Sequence, residues 1–233
     1  RAIDPAPPDV LRIVHTGMFH SELAELWDGL QARRGLLNKL KYARRPINLW
    51  SRSPRYLLEA MSRVTADGAV PASKLELVLV GEITERDRQL IESSPAAAMV
   101  RLLGYRKHDE SVSWLESADL LFLPNHTPLD GGPTLVVPGK AYEYLGSGRP
   151  ILAMGGPGDM AEFVTGTGSG FAVRGDDVAG AAEVLKQAYD AKQAGRALCS
   201  PDRAAVAGFE RRSIARRLAE ELDQLIVRTT HDA

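Results

Sequence analysis

The stretch Val136–Met154, VVPGKAYEYLGSGRPILAM, decides how the chain is read. Pro138 and Gly139 open a helical segment, Lys140 and Glu143 stand three apart on it, and Gly146 and Gly148 break it. Proline suits a first helical turn, where its missing N–H would lack a partner anyway. Beyond Arg149 and Pro150 the chain turns wholly apolar at Ile151, Leu152, Ala153 and Met154. Such a run reads as a strand buried on both faces. A short helix feeding a buried strand is the repeating step of a parallel α/β sheet.

The same step recurs outward in both directions. LRIVHTG is a short strand ending at Gly17, and RSPRYLLEAMSRVTADG is an amphipathic helix with Leu57, Leu58, Met61 and Val64 on one side. LELVLVGE, from Leu75, is the strongest strand. ITERDRQLIESS, MVRLLGY, ESVSWLESA and DLLFLPN continue the alternation as helix, strand, helix, strand. After the opening stretch come a short helix, GDMAEFVTGTG, and a last strand, GFAVRG. Two helices close the chain, DDVAGAAEVLKQAYDAKQAG and a long one from Asp202 to Val227. About six alternations predict an α/β fold, a Rossmann-like parallel sheet with helices on both faces. Ligands of such folds bind beyond the carboxyl ends of the strands. Here those ends are the loops after Val14, Val80, Leu103, Leu123 and Met154.

Composition narrows the function. The chain has 233 residues, 44% of them apolar, enough for one large domain or two small ones. A formal net charge of −1 gives no global basic field, so nucleic acid is not expected as a partner. The longest apolar runs are strand-sized, well short of the roughly 20 residues of a membrane span. Cys199 is the single cysteine, which rules out an internal disulfide and fits a reducing, cytoplasmic setting. It lies in the polar turn GRALCSPDR, which reads as a turn and not as a nucleophile. No Walker loop, HExxH or paired-cysteine metal site occurs. GTGSG at 166–170 follows a helix and lacks the dinucleotide spacing, so it reads as a turn.

Lys140 and Glu143 share one helical face. Amides at the helix start, the helix dipole and the Lys140 charge together favour a phosphate. One turn on, Glu143 can accept hydrogen bonds from a vicinal diol such as that of ribose. One short helix could thus read two parts of a nucleotide. The ordinary alternative is a surface Lys–Glu pair worth tenths of a kcal/mol.

The motif P-G-K-x-x-E-Y-L-x-S-G-R-P-I-L-A resembles the donor-site segment of family 4 glycosyltransferases, retaining enzymes of the GT-B fold. LRIVHTG, SRSPRYLLEAMSRV, LELVLVGE, VRLLGYRKHDESVSWLESADLLFLPN and GDMAEFVTGTGSGFAVRGDD resemble that family's carboxyl-terminal, nucleotide-sugar-binding domain in the same order. The likeness covers nearly everything except residues 21–50. It implies that Glu143 binds ribose and that Arg52 binds the diphosphate. Gly17 would let phosphate approach, Tyr105 and Arg106 would stand in the loop that receives the base, and Lys140 would be a second cation. It also implies a nucleoside-diphosphate sugar as donor substrate, with no further cofactor and no metal. Many relatives carry an arginine where Met18 stands and a second glutamate where Leu135 stands. His20 or His108 could replace the missing cation, although a lone loop histidine is more often just solvated, and Asp130 or the amides of Gly131 and Gly132 could contact the sugar. A non-catalytic nucleotide-binding module and a GT-B sugar-nucleotide epimerase are the alternatives.

The organisation follows from that resemblance. Residues 1–10 read as a linker-like lead-in and 11–233 as one domain with a helical insert at about 21–50. One sheet's worth of alternation leaves an amino-terminal acceptor domain, with any catalytic base or histidine, outside this chain. The chain alone is therefore expected to bind donor and catalyse little. Within the insert, six cations against three acids give a local +3, and Leu36, Leu37, Leu40 and Tyr42 interleave with the cations. Residues 33–45 could thus lie on the inner face of an anionic membrane, or the insert could simply pack on protein. His126 and Glu162 remain candidate cleft residues, and Trp114 reads as core.

Overall fold

The structure, a computed structural model, describes residues 3, 6–33 and 46–231. Eight strands are described: β1 (Leu11–Thr16), β2 (Ile47–Asn48), β3 (Leu75–Val80), β4 (Val100–Gly104), β5 (Leu120–Pro124), β6 (Thr127–Pro128), β7 (Ile151–Gly155) and β8 (Gly170–Arg174). The helices are α1 (Ser21–Arg33), α2 (Arg55–Ala66), α3 (Glu85–Glu92), α4 (His108–Glu116), α5 (Lys140–Ser147), α6 (Asp159–Gly166), α7 (Val178–Gln193), α8 (Arg203–Ala207) and α9 (Arg211–His231).

Six strands form one parallel sheet in the order β4-β3-β1-β5-β7-β8. That is the Rossmann-like arrangement expected from the alternation. Its order reverses between β1 and β5, where such folds open a ligand crevice. Period-2 alternation sends each strand's apolar residues to both faces. Ile13, Leu77, Leu79, Phe122 and Leu152 pack with Leu57 and Met61 of α2 and Leu185 of α7. Val14, Val78, Val80, Leu121 and Ile151 pack with Trp114 of α4, Tyr144 of α5 and Phe163 of α6. Both faces are covered, so every residue of β1 is buried.

The switch point has a specific shape. β1 pairs with β3 along six registered positions but with β5 only at Ile13–Leu120 and Val14–Leu121. Beyond Val14 the two strands part. The Nδ1 of His15 lies 3.0 Å from the Phe122 carbonyl, so a side-chain bond continues where the backbone ladder stops.

Three differences from the sequence expectation have local causes. The long closing helix is two helices, α8 and α9, parted at Gly208–Glu210, with the Asp202 carboxylate capping α8 through the amides of Ala204 and Ala205. An antiparallel ribbon joins β2 to β6, far too short to carry a strand pattern. The insert is helical over α1 but extended at Ile47–Asn48. Residues 34–45, on which the membrane-surface reading rests, lie outside the described residues. Among the described residues no helix is long and apolar enough to cross a membrane.

Candidate functional site

The carboxyl ends of β1 and β3 meet back to back at two glycines. Gly17 has φ 101° and Gly81 φ 144°. A Cβ on Gly81 would lie 2.3 Å from the Gly17 carbonyl oxygen, and one on Gly17 would lie 2.8 Å from Lys140 Nζ. Only glycine satisfies both the backbone angle and the space. The Gly17 amide donates to Val80 at 2.7 Å, and the Gly81 amide to Gly104 at 2.9 Å. The loop is thus held by its own backbone and leaves the Gly17 Cα bare toward Lys140.

Lys140 is the first residue of α5, whose start faces that glycine. Its ammonium donates to the Thr16 carbonyl at 2.8 Å and lies 3.4 Å from His15 Nε2. Burial and the nearby Arg52 charge bring its pKa down to about 8, with Glu143 acting the other way. Desolvation disfavours an ammonium, and a like charge disfavours it further. Cations are thus drawn together here against their mutual repulsion. One turn along α5, the buried Tyr144 hydroxyl accepts the Thr16 amide at 2.9 Å, which seats the helix against the end of β1. Burial pushes that phenol up to about 12.

Arg52 comes from the turn Trp50–Arg52, just before α2. Its guanidinium donates to His20 Nε2 at 2.9 Å, and its carbonyl accepts the His20 amide at 3.2 Å. Burial, then the Arg52 and Lys140 charges, lower the His20 pKa, while Asp87 opposes them. A neutral His20 is what lets its lone pair receive Arg52. Asp87 itself is committed elsewhere, accepting Ser21 Oγ and capping α3 at Thr84.

The other expected residues are less gathered. Glu143 is exposed on α5, and its charge is felt by both Lys140 and Tyr144. Tyr105 is 80% exposed in the loop after β4, and Arg106 folds onto the Tyr105 carbonyl at 2.9 Å. His108 and Glu162 are exposed, and Trp114 is core under the Arg12 and Arg101 guanidinia. His126 follows β5, its amide donating to Asn125 Oδ1 at 2.9 Å. Asp130 caps the Gly132 amide at 3.0 Å. Met18 and Leu135 are exposed. Cys199 is half-buried, and burial raises its pKa, the opposite of an activated thiol.

The structure therefore brings Gly17, Lys140 and Arg52 to one place and adds His15, His20 and Tyr144. A lone loop histidine is ordinarily solvated, but His20 is bonded to Arg52. Sequence reasoning does not single out His15 or Tyr144. The available signal is an ionisable ring inside a strand buried on both faces. Chemically, two cations and a bare backbone at the switch point suit an oxyanion, above all a phosphate. No three His, Cys, Asp or Glu side chains gather around one point among the described residues. A separate groove of about 570 Å³ lies between α5 and α8, lined by Tyr142, Leu145, Val206 and Phe209, and shares none of these residues.

No curated protein matches the chain. Among solved structures, sucrose-phosphate synthase from Thermosynechococcus elongatus is similar over 95% of this chain and 47% of its own, with TM-score 0.59 and 17% identity. α,α-Trehalose 6-phosphate synthase from Burkholderia multivorans covers 95% of this chain and 44% of its own, at TM-score 0.54 and 15% identity. HepE of Anabaena, solved with UDP and glucose, covers 93% and 49%, at TM-score 0.51 and 16% identity. At these identities the likeness is one of fold. The chain spans about half the length of each. The model of the glycosyl transferases group 1 family matches residues 45–191, which take in Arg52, β3 to β8, Lys140 and Glu143. The chain belongs to that family.

Proposed function

We propose that this chain is the donor-binding half of a retaining glycosyltransferase that takes its sugar from a nucleoside diphosphate. The diphosphate lies over Gly17 between Lys140 and Arg52. Glu143 accepts the ribose hydroxyls, and the loop at Tyr105 and Arg106 meets the base. One observation carries the reading: Lys140 stands against Gly17 at the switch point with the Arg52 charge acting on it, and among the described residues the hydrogen bonds of both cations go to neutral groups. In this reading the anion that completes them is the ligand's diphosphate.

The chemistry follows from where charge develops. As the bond from the sugar to the diphosphate breaks, the leaving group gains negative charge. Cations fixed beforehand stabilise it without reorganising, each worth roughly 2.7–4 kcal/mol when it acts in the transition state alone. The positive charge in this scheme is the chain's own. The acceptor and any base come from a second domain, packed across the same strand ends.

A second reading, a non-catalytic binding module, draws on the exposed Met18 and Leu135. Both readings require nucleotide binding, and turnover with the acceptor domain separates them. The test is thermal unfolding with UDP, GDP, ADP and their sugars. One of them at 100 times its dissociation constant should add about 2.7 kcal/mol of stability. No shift with any of them overturns the proposal.

A further inference from the structure

We propose that His15 is a positioning residue for the diphosphate site: held in one neutral tautomer by the Phe122 carbonyl, it offers Nε2 as the acceptor that aims the Lys140 ammonium at Gly17. The diphosphate role of Lys140 is the reading above. The geometry at His15 stands apart from it.

Each ring nitrogen has an assigned duty. A carbonyl can only accept, so the 3.0 Å contact to Phe122 puts the proton on Nδ1. Nε2 is then a lone pair, 3.4 Å from Lys140 Nζ. The ring is fully buried, and Phe19 stacks on it at 4.3 Å with an interplanar angle of 12°. It cannot swing away. Burial, then the Lys140 charge, hold the His15 pKa well below 6.5, against the pull of the Phe122 carbonyl, so the ring stays neutral where the lysine is charged. Two acceptors, Thr16 O and His15 Nε2, thus fix the ammonium from behind and leave its remaining proton for a ligand. The arrangement also explains why a fully buried polar ring stands near the carboxyl end of this strand. It closes the gap where β1 and β5 part and turns that gap into a mount for the cation.

The groups facing Lys140 are His15 and Thr16 on β1, His20 beyond it, Arg52 before α2, and Glu143 and Tyr144 on its own helix. Bound diphosphate raises the Lys140 pKa from about 8. Nucleotide affinity is therefore full below about pH 8 and falls as pH rises through the bound-state value. Removing the Nε2 acceptor destabilises the ammonium and moves that limb to lower pH.

The experiment uses NMR of the whole chain without ligand, then calorimetric titration with the nucleoside diphosphate that thermal unfolding selects. In the wild type, His15 should show the Nδ1–H tautomer and stay neutral throughout the pH range over which Lys140 titrates. An Nε2–H tautomer, or a ring that titrates in this range, overturns the proposal without any variant. His15→Asn keeps a donor for Phe122 but has nothing at the Nε2 position, while His15→Gln reaches Lys140 with an acceptor. The Lys140 midpoint should drop by about one pH unit in His15→Asn and stay near wild type in His15→Gln. Affinity at pH 7.5 should fall about threefold in His15→Asn alone. In a Lys140→Met background, His15→Asn should change affinity no further. An unmoved Lys140 midpoint in His15→Asn, or equal affinity losses with and without Lys140, overturns the proposal. A wild type that binds no nucleotide refutes the functional reading, and the His15 tautomer and the Lys140 midpoint then decide the positioning role by themselves.

Discussion

At the amino-terminal end of the sheet, Arg12 donates to Glu76 at 2.8 Å and Lys192 to Asp119 at 2.6 Å, while Arg12 and Arg101 both stack on Trp114. At the carboxyl-terminal end, Lys140 donates to a backbone carbonyl and Arg52 to a neutral histidine. Both ends carry cations on or beside the same central strand. One end answers them with hydrogen-bonded carboxylates, whereas at the other, among the described residues, no carboxylate bonds to either cation and Glu143 acts on Lys140 through its charge alone. Matched charges hold a fold together, because removing one partner leaves the other half-desolvated. Cations kept beside neutral groups, at a cost in repulsion, are what the proposed diphosphate site requires. Under the proposed function, charge at one end of this domain is structure, and charge at the other serves a ligand.

The contrast can be broken by exchanging the effects. Lys140→Met should weaken the nucleoside diphosphate by about 2–3 kcal/mol, roughly 30- to 150-fold, in a calorimetric titration. The same variant should make the ligand-free chain more stable by about 1–2 kcal/mol at pH 7. The sign follows from a folded-state pKa of about 8 against 10.5 for an unperturbed lysine. The ammonium costs stability below about pH 8, and that cost fades as pH rises toward 10.5. The variant's advantage should therefore shrink over the same interval. A Lys140→Met chain that is less stable than wild type at pH 7 would show that the lysine is a structural partner after all.

Arg12→Met is the mirror test. It should cost about 2 kcal/mol in urea unfolding, since Glu76 loses its close partner in a partly buried setting. Nucleotide affinity should stay within about twofold of wild type. A larger loss of affinity here than in Lys140→Met would reverse the roles assigned to the two ends. The smallest effect sharpens the site's outer edge. Glu143→Ala should weaken a ribonucleoside diphosphate by about 1 kcal/mol and leave inorganic diphosphate unaffected. Equal losses for both ligands would take the ribose role from Glu143.

The sheet is legible in the sequence because its central strands are buried on both faces and so write themselves as apolar runs, Leu77–Val80 and Ile151–Met154 above all. Lys140 and Gly17 are legible for a related reason: each stands at the carboxyl end of a strand or the start of the helix facing it. The ribbon of Ile47–Asn48 with Thr127–Pro128 is not, because two residues cannot show a period and their pairing spans about 80 positions. The break between α8 and α9 hides inside a continuous helical pattern, since Gly208 departs from it only weakly. His15 is hidden most thoroughly. Inside LRIVHT it looks like one more strand residue, and its meaning depends on a carbonyl 107 positions away. Tyr105 and Arg106 come from the family resemblance alone, and both stand exposed in the loop after β4.

The most direct test of the central claim is a crystal structure of the chain with the nucleoside diphosphate chosen by thermal unfolding. The account predicts its phosphates within hydrogen-bond distance of Lys140 Nζ and the Arg52 guanidinium, over the Gly17 Cα. A nucleotide seated in the groove between α5 and α8, or anywhere away from the switch point, would contradict it.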